Sequence, residues 1–132
     1  MSRILVVDAS IAVDLLARFQ PEPIEEVLWA PDTLMAAPEL LDVETLHALR
    51  RLDREGRIPA SRSNLVDELR ALPIRRYRHA NLMAGIWALR GQLTAYDAAY
   101  VVLARLLNGF LVTRDERLAR ASGLGEQVLV PQ

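Results

Sequence analysis

Short unbroken apolar runs alternate along this chain with longer stretches of helical periodicity. Arg3 to Val7 (RILVV), Phe110 to Thr113 (FLVT) and Gln127 to Val130 (QVLV) carry no polar alternation. A strand of that kind buries both faces, as strands do in a parallel sheet covered by helices. The alternation therefore predicts an α/β fold, with a parallel sheet between helices on both faces.

Between these runs the helix and turn signals are readable. Ser10 is the expected N-cap of a helix over IAVDLLARF (11–19), which Pro21 and Pro23 interrupt before a short helix around Ile24 to Trp29. TLMAA at 33–37 reads as a second strand. Pro38 opens a long helix over 39–55, stopped by Gly56. Ser61 is expected to cap a helix running to Leu72, and Pro73 to Tyr77 to form a short strand or extended loop. Helices are expected over 79–89, ending at Gly91, over Thr94 to Leu107, broken by Asn108-Gly109, and over 116–121, ending at Gly123. With 132 residues and no linker, repeat or low-complexity stretch, the chain fits one domain, 1–132.

Ligands of parallel sheets bind beyond the carboxyl ends of the strands. Asp8 directly follows RILVV, and Asp115 stands two residues after FLVT. Each has an ordinary structural role open to it: Asp8 could cap the first helix, and Asp115 could be a loop or cap acid. Glu44 borders the apolar stripe of the long helix, where a carboxylate needs a cation or donor partner. Periodicity does not choose between it and Asp42. Asp97 stands three residues after Thr94, which fits a capping box; the same place at a helix N-terminus also favours an ionised carboxylate.

Composition limits what such acids can do. The chain has no cysteine and two histidines, so disulfides and thiolate metal sites are excluded and a zinc site is hard to build. Oxygen ligands alone point to Mg²⁺ or Mn²⁺. Clustered carboxylates repel one another unless a cation joins them. The formal charge is −1, and it becomes +3 without the four acids Asp8, Glu44, Asp97 and Asp115, a balance compatible with an RNA partner. No signal peptide or membrane span is apparent, so a cytoplasmic protein is expected.

Four stretches, VVDAS at 6–10, PELLDVETLHALRR at 38–51, LTAYDAAYVVLA at 93–104 and LVTRDERLA at 111–119, resemble in order the blocks of PIN domains, most closely the VapC-type toxins of bacterial toxin–antitoxin pairs. The resemblance selects Glu44 over Asp42 and supplies the Thr113-x-Asp115 form. It implies a three-layer sandwich around a five-stranded parallel sheet, and a Mg²⁺-dependent endoribonuclease, with Mn²⁺ able to substitute. Its implied substrate is single-stranded or looped RNA, often transfer or ribosomal RNA. It further implies a homodimer held inactive by a cognate VapB-type antitoxin. In that reading Asp8, Glu44 and Asp97 hold the first metal directly or through water, and Asp115 completes the site or helps with a second ion. The metal lowers the pKa of a bound water and stabilises charge on the phosphate.

All 16 basic residues are arginine. Arg50, Arg51 and Arg54, then Arg75, Arg76 and Arg78, and Arg114 are candidates for contacts to the RNA backbone, with solvated charges and ion pairs as the plainer reading of each. Tyr96 could stack on a base or pack in the core. His47 reads as a rim residue. The absence of lysine removes a rival, the phosphoacceptor signalling domain, which needs a pocket lysine. A catalytically inactive PIN-like module that binds RNA or protein, and a DNA nuclease, remain to be separated by experiment.

Overall fold

The computed structural model describes residues 2–17 and 21–131. Five parallel strands form one sheet: β1 (Arg3–Val7), β2 (Thr33–Pro38), β3 (Ile74–Tyr77), β4 (Phe110–Val112) and β5 (Val128–Leu129), in the order β3-β2-β1-β4-β5. The expected parallel sheet is thus present, and 73–77 supplies a strand rather than a loop. Register follows the apolar runs, with Leu5 opposite Met35 and Phe110, and Val7 opposite Val112. Leu5, Val6, Val7, Leu111 and Val112 are all fully buried, which is why these runs lack polar alternation.

The strand order positions the site. The chain lays down β1, β2 and β3 in one direction, then returns across the sheet to place β4 on the other side of β1. Right-handed crossovers put the helices of the two halves on opposite faces. On one face α1 (Ala9–Ala17) packs against α2 (Pro21–Leu28), α3 (Leu40–Arg54) and α4 (Leu65–Ala71). On the other, α6 (Ala95–Leu106) lies across β1, β2 and β4, with α5 (Met83–Ala88) against it. α7 (Glu116–Ala121) joins β4 to β5. The reversal leaves a crevice at the carboxyl ends of β1 and β4, the switch point where open α/β sheets bind ligands.

Several boundaries differ from expectation. α1 begins at Ala9, so Ser10 lies in its first turn and Asp8 takes the capping place: the Asp8 carboxylate accepts from the Ile11 amide at 3.3 Å. Arg18 and Phe19, the expected end of that helix, lie outside the described residues. Pro21 opens α2 instead of interrupting, because a first helical turn needs no N–H. Ser61 caps nothing: α4 starts at Leu65 behind Asn64. Arg62 explains the delay, since its Nε and Nη2 donate to the Leu16 carbonyl at 2.9 and 2.6 Å and tie that loop to the end of α1. The 79–89 helix divides into a 3₁₀ turn (Ala80–Leu82) and α5. His79, just before that turn, accepts the Leu40 amide on Nε2 at 3.0 Å and so caps α3, whose Glu39 makes no side-chain cap.

Candidate active site

Asp8 leaves the end of β1 with its amide donating to the Val112 carbonyl across the switch point at 3.3 Å. Asp8 is only 6% exposed. Oδ1 accepts from the Ser10 hydroxyl at 2.5 Å and from the Ile11 amide; Oδ2 accepts a short hydrogen bond from the Thr113 hydroxyl. Burial nevertheless pushes this carboxyl up to about 6, because the donors offset only part of the lost hydration. The two hydroxyls also fasten the opposite loop: Ser10 Oγ accepts the Arg114 amide and Thr113 Oγ the Asp115 amide, both at 3.0 Å. Ser10 and Thr113 therefore lock the ends of β1 and β4 together around one carboxylate.

Asp115 is the N-cap of α7, with Oδ1 accepting from the Leu118 amide at 3.0 Å. Its Oδ2 is left for another partner. Asp97 lies in the first turn of α6. Only half of the anticipated capping box is built by its backbone: the Asp97 amide donates to Thr94 Oγ at 3.1 Å, while the Asp97 carboxylate turns to α7. There one nitrogen, Arg117 Nη2, donates to Asp97 Oδ2 at 3.0 Å and to Asp115 Oδ2 at 3.3 Å.

Glu44 projects from α3 toward α6, where the Tyr100 hydroxyl donates to its Oε1 at 2.5 Å. Burial raises the Glu44 carboxyl above its ordinary range; the Tyr100 bond opposes the rise and the nearby Asp97 charge adds to it. Tyr100 is itself held firmly protonated by burial and by Glu44, with smaller contributions from the charges of Asp8 and Asp97. Glu44, Asp97 and Asp8 thus share one electrostatic neighbourhood. Asp42, the alternative on the same helix, faces elsewhere and pairs with Arg76 at 3.0 Å.

The donor set suits a hard divalent cation: carboxylates with no sulfur or histidine among them, and a buried acid whose charge lacks full compensation. The ligand cage is not closed, since among the described residues no three acidic or imidazole groups converge as a finished metal site. In its place a guanidinium spans two of the four acids.

Two participants escaped the sequence reading. Tyr100 is three residues beyond Asp97, a spacing that puts both on one face of α6 and could have pointed to it. Arg117, two residues beyond Asp115, had no signal separating it from a solvated surface arginine. Of the arginines considered for RNA, Arg114 pairs with Asp14 at 2.5 Å and donates to the Pro131 carbonyl, and Arg76 is bound by Asp42 and the carbonyls of Leu69, Leu72 and Ile74. Both are structural ties. Arg50, Arg51, Arg54, Arg75 and Arg78 are exposed. His47 is also exposed, and with Glu44, Ala9 and the 61% exposed Tyr96 it lines an open cleft beside the acids.

Residues 5–124 match the PIN domain family. The chain is 42% identical to Ribonuclease VapC3 of Mycobacterium tuberculosis (strain ATCC 25618 / H37Rv) over 118 residues, covering 89% of this chain and 86% of that protein. It is 40% identical to Ribonuclease VapC1 of the same strain over 121 residues, covering 90% and 91%. In fold it is similar to PAE2754 from Pyrobaculum aerophilum, with a TM-score of 0.69 at 24% identity, covering 92% of this chain and 81% of that one. It is also similar to VapBC2 from Rickettsia felis, solved bound to a DNA fragment from their promoter, with a TM-score of 0.67 at 14% identity and 96% of each chain covered. On the sheet order, the match over residues 5–124 and these relatives, the chain belongs to the PIN domain family.

Proposed function

We propose that this chain is a metal-dependent endoribonuclease of the VapC toxin type, with Asp8, Glu44, Asp97 and Asp115 as its metal-holding acids. The reading is supported by one observation: Glu44, Asp8 and Asp97 all act on the same tyrosine, Tyr100, while one arginine, Arg117, reaches both Asp97 and Asp115. The relatives named as ribonucleases support the choice of RNA. A bound Mg²⁺ or Mn²⁺ supplies acidification of water and neutralisation of charge at the phosphate. The chain's own residues do the rest. Ser10 and Thr113 fix the orientation of Asp8. Tyr100 fixes Glu44 and, through its proton, keeps that acid from pairing with a stray donor. Tyr96 offers an exposed ring for stacking on an unpaired base, and the exposed arginines offer contacts to the RNA backbone.

The test is cleavage of single-stranded RNA by the purified chain with Mn²⁺ or Mg²⁺, with excess chelator, and with the Asp97→Asn form. Cleavage should need the metal and fall by at least about a hundredfold in Asp97→Asn. The Thr94 cap bond uses the Asp97 amide, so the melting temperature should change little. Undiminished cleavage in chelator overturns the metal reading, and a wild-type rate in Asp97→Asn removes that residue from the site. The engagement of Asp97 and Asp115 by Arg117 favours the second reading, an inactive RNA- or protein-binding module; RNA bound but never cut would establish it. A parallel digest of single-stranded DNA separates a DNA nuclease.

Control by a VapB-type antitoxin belongs to the same proposal, as does a homodimer. The fold neighbours include a VapBC2 structure and a toxin–antitoxin complex from Klebsiella pneumoniae. An arginine of such a partner could bridge the acids, since a planar guanidinium fork fits two carboxylates.

A further inference from the structure

Arg117 stands where the proposed function needs a cation. One of its nitrogens lies 3.0 Å from Asp97 Oδ2 and 3.3 Å from Asp115 Oδ2. These acids come from different elements, the start of α6 and the start of α7, so the guanidinium joins two sides of the rim. The Arg117 side chain is 64% exposed, against 22% for Asp97 and 39% for Asp115. The head group therefore reaches in from solvent and can leave along the way it entered. Among the described residues no backbone carbonyl accepts from it, in contrast to Arg76 and Arg114. The oxygens it covers are those free of other work: Asp115 Oδ1 is engaged by the Leu118 amide, and Oδ2 takes the arginine.

We propose that Arg117 is a built-in competitor of the divalent cation, neutralising Asp97 and Asp115 in the metal-free protein and swinging off them when the metal binds. The inference rests on the metal-site reading above and adds a determinant of metal affinity carried by the chain itself. An exposed ion pair is weak and easily displaced, and a divalent cation offers both carboxylates more charge in a smaller volume than a guanidinium does. The competition sets a threshold. At low metal the rim is neutralised and closed; at sufficient metal the arginine is released beside the site with its charge free.

Mn²⁺ binding to the purified chain, followed by calorimetry without RNA, tests this in the wild type, Arg117→Gln and Arg120→Gln. Arg120 is exposed on the same helix, outside the site, and controls for the loss of one positive charge. Arg117→Gln should bind Mn²⁺ about two- to fivefold more tightly, the scale of a displaced surface ion pair, and Arg120→Gln should stay near wild type. Equal affinity in the wild type and Arg117→Gln overturns the competition while leaving the metal site standing. An equal gain in both variants also overturns it, reducing the effect to general charge. No Mn²⁺ binding by any form overturns the metal reading and this inference together. Thermal melts in chelator confirm folding: Arg117→Gln should melt slightly below wild type, its acids having lost their counter-charge.

Discussion

Asp8 concentrates the chemical tension of the molecule in one side chain. It is held by Ser10, Thr113 and the Ile11 amide, yet burial still pushes its carboxyl up to about 6 from 3.8. Well below pH 3.8 the group is protonated folded or unfolded and carries no penalty. As pH rises toward and through 6 the unfolded chain has released its proton while the fold resists doing so, and stability is lost across that window. Asp8→Asn should therefore stabilise the metal-free protein at pH 7, by on the order of 1–3 kcal/mol. The carboxamide oxygen can still accept from Ser10 and Ile11, and its NH₂ can donate to Thr113. Urea unfolding in chelator at pH 7 and pH 4 measures this; the gain should shrink at the lower pH. Equal stability at pH 7 would mean that the three donors fully compensate the buried charge.

At the scale of elements, β1 and β4 must lie close for the Asp8 and Asp115 ends to meet. Gly109, immediately before β4, makes the approach possible: a Cβ there would fall 2.7 Å from the Ile4 carbonyl oxygen and 3.2 Å from the Ile4 side chain. The obstacle is backbone, which cannot rotate away. Gly109→Ala should cost about 1–3 kcal/mol in urea unfolding, as overpacking does. Gly91→Ala, where an added Cβ meets nothing within 4 Å, should leave the midpoint close to wild type. A silent Gly109→Ala would show that the two strands can part without loss. The helices contribute near their starts: α6 brings Asp97, α7 brings its cap Asp115 and Arg117, and the second turn of α3 brings Glu44.

For the whole molecule, the proposed control by a partner makes a prediction in cells. Inducing this chain alone should arrest growth. Inducing Asp8→Asn, or the chain together with a small neighbouring antitoxin, should not. Colony counts and optical density after induction report the outcome. Arrest by Asp8→Asn equal to wild type would place the toxicity outside this site. Unchecked growth with the wild type, alongside RNA cleavage by the purified protein, would remove the toxin assignment and keep the nuclease.

The amino-acid sequence by itself determined the strands, most helices and the candidate acids, because those depend on neighbours in the chain. RILVV and FLVT declare buried strands by lacking polar alternation, and Asp8 and Asp115 sit at strand ends wherever the strands go. The resemblance to PIN domains chose Glu44 over Asp42, which periodicity could not do. Tertiary structure decided what depends on residues far apart. Asp42 goes to Arg76 and Glu44 to Tyr100 only because the fold brings β3 to one of them and α6 to the other. Arg62 delays α4 by reaching the Leu16 carbonyl, a contact across 46 positions. Thr113 finds Asp8 across 105. Arg117 becomes part of the site only once α7 is laid beside the start of α6. A charged side chain looks the same in sequence whether it is solvated or bridging two acids, and the difference is made by which carboxylates the fold sets within its reach.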